Sequence, residues 1–193
     1  MPIPSLRLPL GTRMPWFSVT DLQGTKWTTA SADGRPASVI AFLSRHSPYV
    51  KHIERSLAHT TNELQEQGVL VLGVAANDSR AYPSDGPQML ELQWSEAGFR
   101  FPYALDETQQ MAKAFEANCT PEFYVYDRDR RLVYHGQYDA SRPDNEIATS
   151  GVDILQAVDA VRSGEIVDGD QSVSLGCSVK WRAGNEPSYA LAS

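Results

Sequence analysis

Cysteine is scarce in this chain. Only two occur in 193 residues, Cys119 and Cys177, and a pair so far apart is no disulfide scaffold. In a reducing compartment their plain reading is two buried thiols acting as small apolar fillers. Cationic charge is also in deficit. Seventeen Lys and Arg stand against 24 Asp and Glu, a formal net charge of -7, and so acidic a surface argues against binding a nucleic-acid backbone. Long apolar runs are missing too. No stretch approaches the roughly 20 residues of a membrane-spanning helix, so no membrane partner is expected. Over Met1 to Met14 any apolar run is broken by Pro2, Pro4, Pro9 and Gly11. That is not a secretory signal, and the expected compartment is the cytoplasm. No glycine-rich phosphate loop or dinucleotide fingerprint occurs. His46, His52, His59 and His135 lack a clustered zinc spacing. No cofactor and no metal are expected.

What is present suits one soluble domain. The composition is 41% hydrophobic and 21% charged, which leaves room for a real core. Pro15 to Val19 and Lys26 to Thr29 read as two strands around the turn Asp21-Leu22-Gln23-Gly24. Ser38 to Leu43 is an almost continuous apolar run, the signature of a strand covered on both faces. Pro48 then fits a first helical turn, where a missing N–H costs nothing. Val50, Ile53, Leu57 and Leu64 follow on one face of a helix that ends at Gly68. Val69 to Ala75 is a second buried strand, so the pair should be parallel. Gln88 to Ala97 is expected as a helix with Met89 and Leu92 inward. Phe101 to Leu105 is expected as a short strand, and Thr108 as the cap of a helix reaching Phe115. Glu122 to Tyr126 alternates and is aromatic, and Arg131 to Tyr138 returns antiparallel after a tight turn. Val152 to Val161 is a last helix, with Val152, Leu155, Val158 and Val161 in phase. From Gly164 the chain reads as an irregular tail. The fold class is α/β: a central mixed sheet flanked by helices, preceded by a hairpin.

The sharpest segment is Ser44-Arg45-His46-Ser47-Pro48, between the end of the first buried strand and the start of its helix. Open α/β sheets place sites at such strand ends. A helix start offers unpaired N–H groups and partial positive charge, which would lower the pKa of a thiol held there. A hydrolase reading of Ser47 with His46 or His52 has no G-x-S-x-G elbow to support it.

These residues carry a resemblance. The order of elements resembles a thioredoxin fold, whose C-x-x-C-Pro motif maps onto Ser44, Arg45, His46, Ser47 and Pro48. More narrowly the chain is similar to peroxiredoxin-like proteins of the alkyl hydroperoxide reductase and thiol-specific antioxidant superfamily. The likeness rests on Pro48-Tyr49-Val50-Lys51-His52-Ile53, Cys119-Thr120-Pro121-Glu122-Phe123, Gly136-Gln137-Tyr138-Asp139 with Ser141-Arg142-Pro143, and Gly176-Cys177 with Lys180-Trp181. It implies a redoxin domain over residues 1–163 and an extension, 164–193, packed on it. It implies thiol-dependent reduction of a small peroxide or a protein disulfide, with a protein thiol reductant such as a thioredoxin, and by analogy a homodimer. Ser44 and Ser47 stand where relatives carry cysteine, so this chain is expected to be inactive through that motif. Whether the serines are a Cys→Ser replacement or belong to a natural relative that lost the chemistry is open at this point. The resemblance also implies a cis Thr120-Pro121 bond facing the helix start, with backbone groups left free to align an extended substrate. Arg142, Arg45 and His46 are candidate electrostatic partners, and Cys119 and Cys177 a candidate second thiol pair. The alternatives are a non-catalytic peptide-binding module, or a redox switch using Cys119 and Cys177.

Overall fold

The computed structural model describes residues 2–191; Met1, Ala192 and Ser193 lie outside. Two strands at the centre carry the chain's most apolar runs, β4 (Ala37–Phe42) and β5 (Leu70–Ala75), and every residue of both is buried. Their side chains divide by parity, as a pleated strand requires. Val39 and Ala41 enter one core with Val50, Ile53 and Leu57, whereas Ile40 and Phe42 enter a second with Met111, Phe115 and Tyr124. The continuous apolar run is thus the mark of two cores sharing one sheet.

That sheet has five strands in the order β6-β5-β4-β8-β9, adding β6 (Tyr103–Leu105), β8 (Glu122–Asp127) and β9 (Leu132–Gly136). β4 runs parallel to β5 and β5 to β6, while β4–β8 and β8–β9 are antiparallel. The long helix α1 (Pro48–Glu66) connects β4 to β5, with Pro48 in its first turn and Val50, Ile53, Leu57 and Leu64 buried. It shares one face with α4 (Val152–Ser163), whose Ile154 and Val158 enter the same core. The short α3 (Gln110–Ala114) covers the other face. The fold is thioredoxin-like, as the sequence implies.

Several boundaries differ from expectation. The N-terminal hairpin is β2 (Ser18–Thr20) with β3 (Lys26–Thr28). Pro15 to Phe17 is not strand: Trp16 is 78% exposed and the Phe17 N–H is taken by the Thr29 side chain. In α2 (Pro87–Ala97) Leu92 is exposed and Met89 half-buried, while Leu90 and Gln93 face inward. In α4 Val152 is exposed, and Ile154 and Ala157 take its place inside. α3 starts after Gln109 rather than from a Thr108 cap. Two short strands at residues the sequence leaves irregular, β1 (Ile3–Pro4) and β10 (Leu175–Ser178), join β7 (Cys119–Thr120) in a small second sheet of order β1-β10-β7. The tail therefore contains a strand. Among the described residues no helix is long and apolar enough to cross a membrane.

Candidate functional site

The site lies where β4 gives out. Leu43, Ser44 and Ser47 are fully buried, and Ser47 precedes α1 in extended conformation. A serine there usually caps its own helix. Ser47 does not: its Oγ donates to the Thr120 carbonyl at 3.1 Å, across the fold. The Thr120–Pro121 peptide bond is cis. The hydroxyl of residue 47 therefore joins the start of α1 to the peptide that precedes Pro121.

Ser44 points elsewhere. Its Oγ lies 3.1 Å from both carboxylate oxygens of Asp85, a residue from the short turn Pro83–Asp85 that is fully buried. Asp85 also accepts from the Arg45 N–H at 2.7 Å, the His46 N–H at 3.4 Å, the Asn77 side-chain amide at 2.8 Å and His46 Nδ1 at 2.5 Å. A carboxylate can only accept, so His46 carries a proton on Nδ1. Asp85 thus fills the anion-attracting space above the strand-end loop with an internal carboxylate. Ser44 Oγ also lies 3.1 Å from His46 Nδ1. Serine and carboxylate meet the same ring nitrogen, whereas a catalytic triad uses both, so the cluster is not a hydrolase triad. The His46 ring stacks on Tyr82 at 5.4 Å.

Pro121 is held by a second buried carboxylate. Glu122 accepts from the N–H groups of Asn118 and Cys119 at 2.8 and 3.0 Å, from Tyr124 Oη at 2.7 Å and from His135 Nε2 at 2.7 Å. The Leu8 N–H approaches His135 Nδ1, which leaves the imidazole proton on Nε2, facing Glu122. These bonds fix β7 and the turn into β8. They also set the character of Cys119: burial first, and then the Glu122 charge, push its thiol pKa well up. A thiol so placed is a poor nucleophile.

The remaining candidates separate. Arg45 reaches toward Glu96 on α2 at 3.9 Å. Arg142 donates to the carbonyls of Asp139 and Ser141 and to the Gln137 side chain, so its charge is spent within its own loop. It still borders Pro121, as both line a cavity of about 20 Å³ with Tyr49, His52 and Leu175. Cys119 and Cys177 are free thiols. In the β10–β7 ladder Cys177 faces Thr120 and Ser178 faces Cys119. Opposed residues share a face and neighbours alternate, so the register sends the two cysteine side chains to opposite faces. The backbone of Thr120 is not free: β10 pairs with it. Its Oγ1 is buried and has no hydrogen-bond partner among the described residues. Asp85 and Asn77 carry no site signature in the sequence, and β10 is marked there only by Gly176 and Cys177.

Asp139 organises the Arg142 loop. It accepts from the N–H groups of Ser141, Ser150 and Gly151 at 2.9, 2.6 and 2.8 Å. Burial raises its pKa, but these bonds outweigh that and leave it below the ordinary aspartate value. A depressed carboxyl pKa stabilises the fold above the unfolded-state pKa, about 4, and that contribution fades as pH falls through the lower folded value. Asp139→Asn should therefore be less stable than the unaltered chain by a constant margin above about pH 5. The margin should shrink steadily below about pH 4. Urea midpoints from pH 6 to 2 measure this, and a margin that does not change with pH would contradict it.

The sequence matches the AhpC/TSA family over residues 10–135. No curated protein matches. Among solved structures, a hypothetical protein from Sinorhizobium meliloti 1021 is 40% identical with a TM-score of 0.91, covering 94% of this chain and 99% of that one. An uncharacterized conserved protein from Geobacillus kaustophilus is 39% identical, TM-score 0.91, over 94% and 97% of the two chains. A secreted Mycobacterium tuberculosis disulfide oxidoreductase is similar at 18% identity and a TM-score of 0.59, over 75% and 95%, a likeness of fold alone.

Proposed function

The chain belongs to the AhpC/TSA family, and from that premise we propose that the cleft between α1 and the Thr120–Pro121 peptide is a thiol–disulfide site from which the thiols are missing. The observation that carries this reading is the Ser47 hydroxyl, aimed from a helix start at the carbonyl before a cis proline. Sulfur in that place would be favoured as thiolate by the helix dipole. It would attack one sulfur of a disulfide, expel the other as thiolate, and be released by a second thiol three residues away. With a peroxide, the thiolate would take the terminal oxygen, leaving a sulfenic acid and water or an alcohol. A serine hydroxyl is not ionised near neutral pH and does neither. The chain as it stands is then a redoxin without redox chemistry at its motif.

The unaltered protein, supplied with dithiothreitol and either a protein disulfide or hydrogen peroxide, should show turnover at the protein-free rate. Cys119→Ser and Cys177→Ser should leave that result unchanged. Turnover that disappears with Cys177→Ser would move the chemistry to the C-terminal thiol and overturn the reading.

A further inference from the structure

The five-stranded sheet has a second end. β4 begins at Ala37, opposite Asp127 of β8. The turn from β8 to β9 and the residues before β4 therefore lie at the end of the sheet away from Ser44 and Ser47. Four of the chain's 17 basic residues meet there. Arg13, Arg128, Arg130 and Arg131 line one cavity of about 370 Å³ together with Asp33 and Asp129. That volume suits a small molecule. In a chain of net charge -7, four cations against two anions is a local reversal of sign.

Backbone bonds fix these residues. Arg13 pairs with Arg131 in an isolated antiparallel bridge. The Met14 N–H donates to the Arg130 carbonyl and the Leu132 N–H to the Thr12 carbonyl on either side of it, both at 2.8 Å. The Asp127 carboxylate takes the N–H groups of Asp129 and Arg131 at 2.9 and 2.8 Å. Arg130 is held between them at φ 58°, a left-handed conformation that residues with side chains seldom adopt. The cations are only partly answered. Arg130 pairs with Asp33 at 2.8 Å, and Arg131 donates to the neutral Gly11 carbonyl at 3.1 Å. Among the described residues the guanidinium groups of Arg13 and Arg128 have no hydrogen-bond or ion-pair partner. A lone exposed arginine needs none. Arg13 and Arg131, however, are opposed across a bridge and share a face, and like charges so placed repel unless an anion comes between them.

We infer that this cavity is a binding site for a small anion carrying two or more linked phosphates. A guanidinium meets a phosphate group through two parallel N–H bonds. The cavity is larger than one phosphate group, so a short chain of them can meet several of the four arginines. Among the described residues no aromatic or apolar side chain lines it, so the phosphates carry the recognition and an attached base adds nothing. The remaining surface is acidic, which disfavours a long polyanion such as nucleic acid and favours a short one. The site stands at the opposite end of the sheet from the proposed thiol cleft and needs nothing of that reading.

The probe is sodium tripolyphosphate, titrated calorimetrically into the full chain at low salt without magnesium. It should bind saturably and at least about tenfold more tightly than orthophosphate. Arg13→Ala with Arg128→Ala should weaken it at least about tenfold. Neither side chain has a partner to lose, so this variant should fold unchanged. Arg55→Ala with Arg80→Ala removes the same charge from exposed positions elsewhere and should change the affinity by less than about twofold. Adenosine triphosphate should bind within about tenfold of tripolyphosphate, as phosphate contacts alone require. In the unaltered chain tripolyphosphate should shift the amide resonances of Gly34, Asp129 and Arg130, and this measurement decides if the double variant does not fold. Absence of binding, orthophosphate as tight as tripolyphosphate, or equal weakening in the two double variants would overturn the inference. So would amide shifts confined to residues outside the cavity. Adenosine triphosphate bound more than about tenfold tighter would also overturn it, because contacts to the base would then carry the binding.

Discussion

Replacing both serines by cysteine, Ser44→Cys with Ser47→Cys, is expected to give a protein that diamide converts to an intramolecular disulfide and dithiothreitol converts back. Positions three apart at a helix start bring Cα atoms within the roughly 7 Å that a disulfide needs. Diamide removes two electrons and two protons, so the protein loses 2 Da on oxidation. With dithiothreitol as reductant, the restored pair should turn over a protein disulfide or hydrogen peroxide at least about ten times faster than the serine protein. The two positions should not contribute equally. A thiol at 47 would sit at the start of α1 facing a carbonyl, whereas a thiol at 44 would face the fully buried Asp85 carboxylate. A like charge disfavours the thiolate. Ser47→Cys alone should therefore react faster with hydrogen peroxide near neutral pH than Ser44→Cys alone. Both side chains are buried, so a protein disulfide should be turned over more slowly than peroxide. A double variant that stays a dithiol in diamide, with turnover at background, would remove the thiol-site reading.

How much of this was readable from sequence follows the physics of each element. β4 was readable because burial on both faces leaves no polar alternation to confuse the pattern, and α1 because a proline marks its start and four apolar residues fall on one face. The inner face of α2 was misread at Leu92 and Gln93. Gln93 is buried because its amide donates to Glu54 and accepts from Tyr103, and no hydrophobic period reports a polar side chain satisfied by tertiary partners. β10 has no strand signature, since Ser-Leu-Gly-Cys-Ser is neither β-branched nor alternating. Gly176, which looks like a breaker, is there because the Thr120 peptide leaves no room for a side chain. The serines, the proline loop and the nearby cysteines were legible as a candidate site. Asp85 was not, for in Pro83-Ser84-Asp85-Gly86 it reads as a turn residue, and only the approach of Asn77 and the loop from Ser44 to Ser47 gives it a role.

Asp85→Ala is expected to lower stability by about 3 to 5 kcal/mol, the usual cost of taking one partner from a buried charged network. The carboxylate receives Ser44 Oγ, two backbone N–H groups, the Asn77 amide and His46 Nδ1. Alanine would leave the buried Ser44 and Asn77 donors and the part-buried Arg45 and His46 donors without this acceptor, with a cavity among them. Asp85→Asn keeps the shape but turns an NH₂ toward donors, so it should recover only part of the loss. The effect should also reach the C-terminal segment. Asn77 bonds Asp85 with its amide nitrogen and the Lys180 N–H with its oxygen, so freeing one end loosens the other. Hydrogen exchange at Val179 should speed up in Asp85→Ala beyond what the global loss explains, judged against Val125 in the same protein. Substituting the exposed Asp144 by alanine should change stability by no more than about 0.5 kcal/mol. Were Asp85→Ala to cost less than about 1 kcal/mol, with Val179 exchange unchanged relative to Val125, backbone packing alone would hold the loop from Ser44 to Ser47. Nothing would then connect the motif to the strand that covers it.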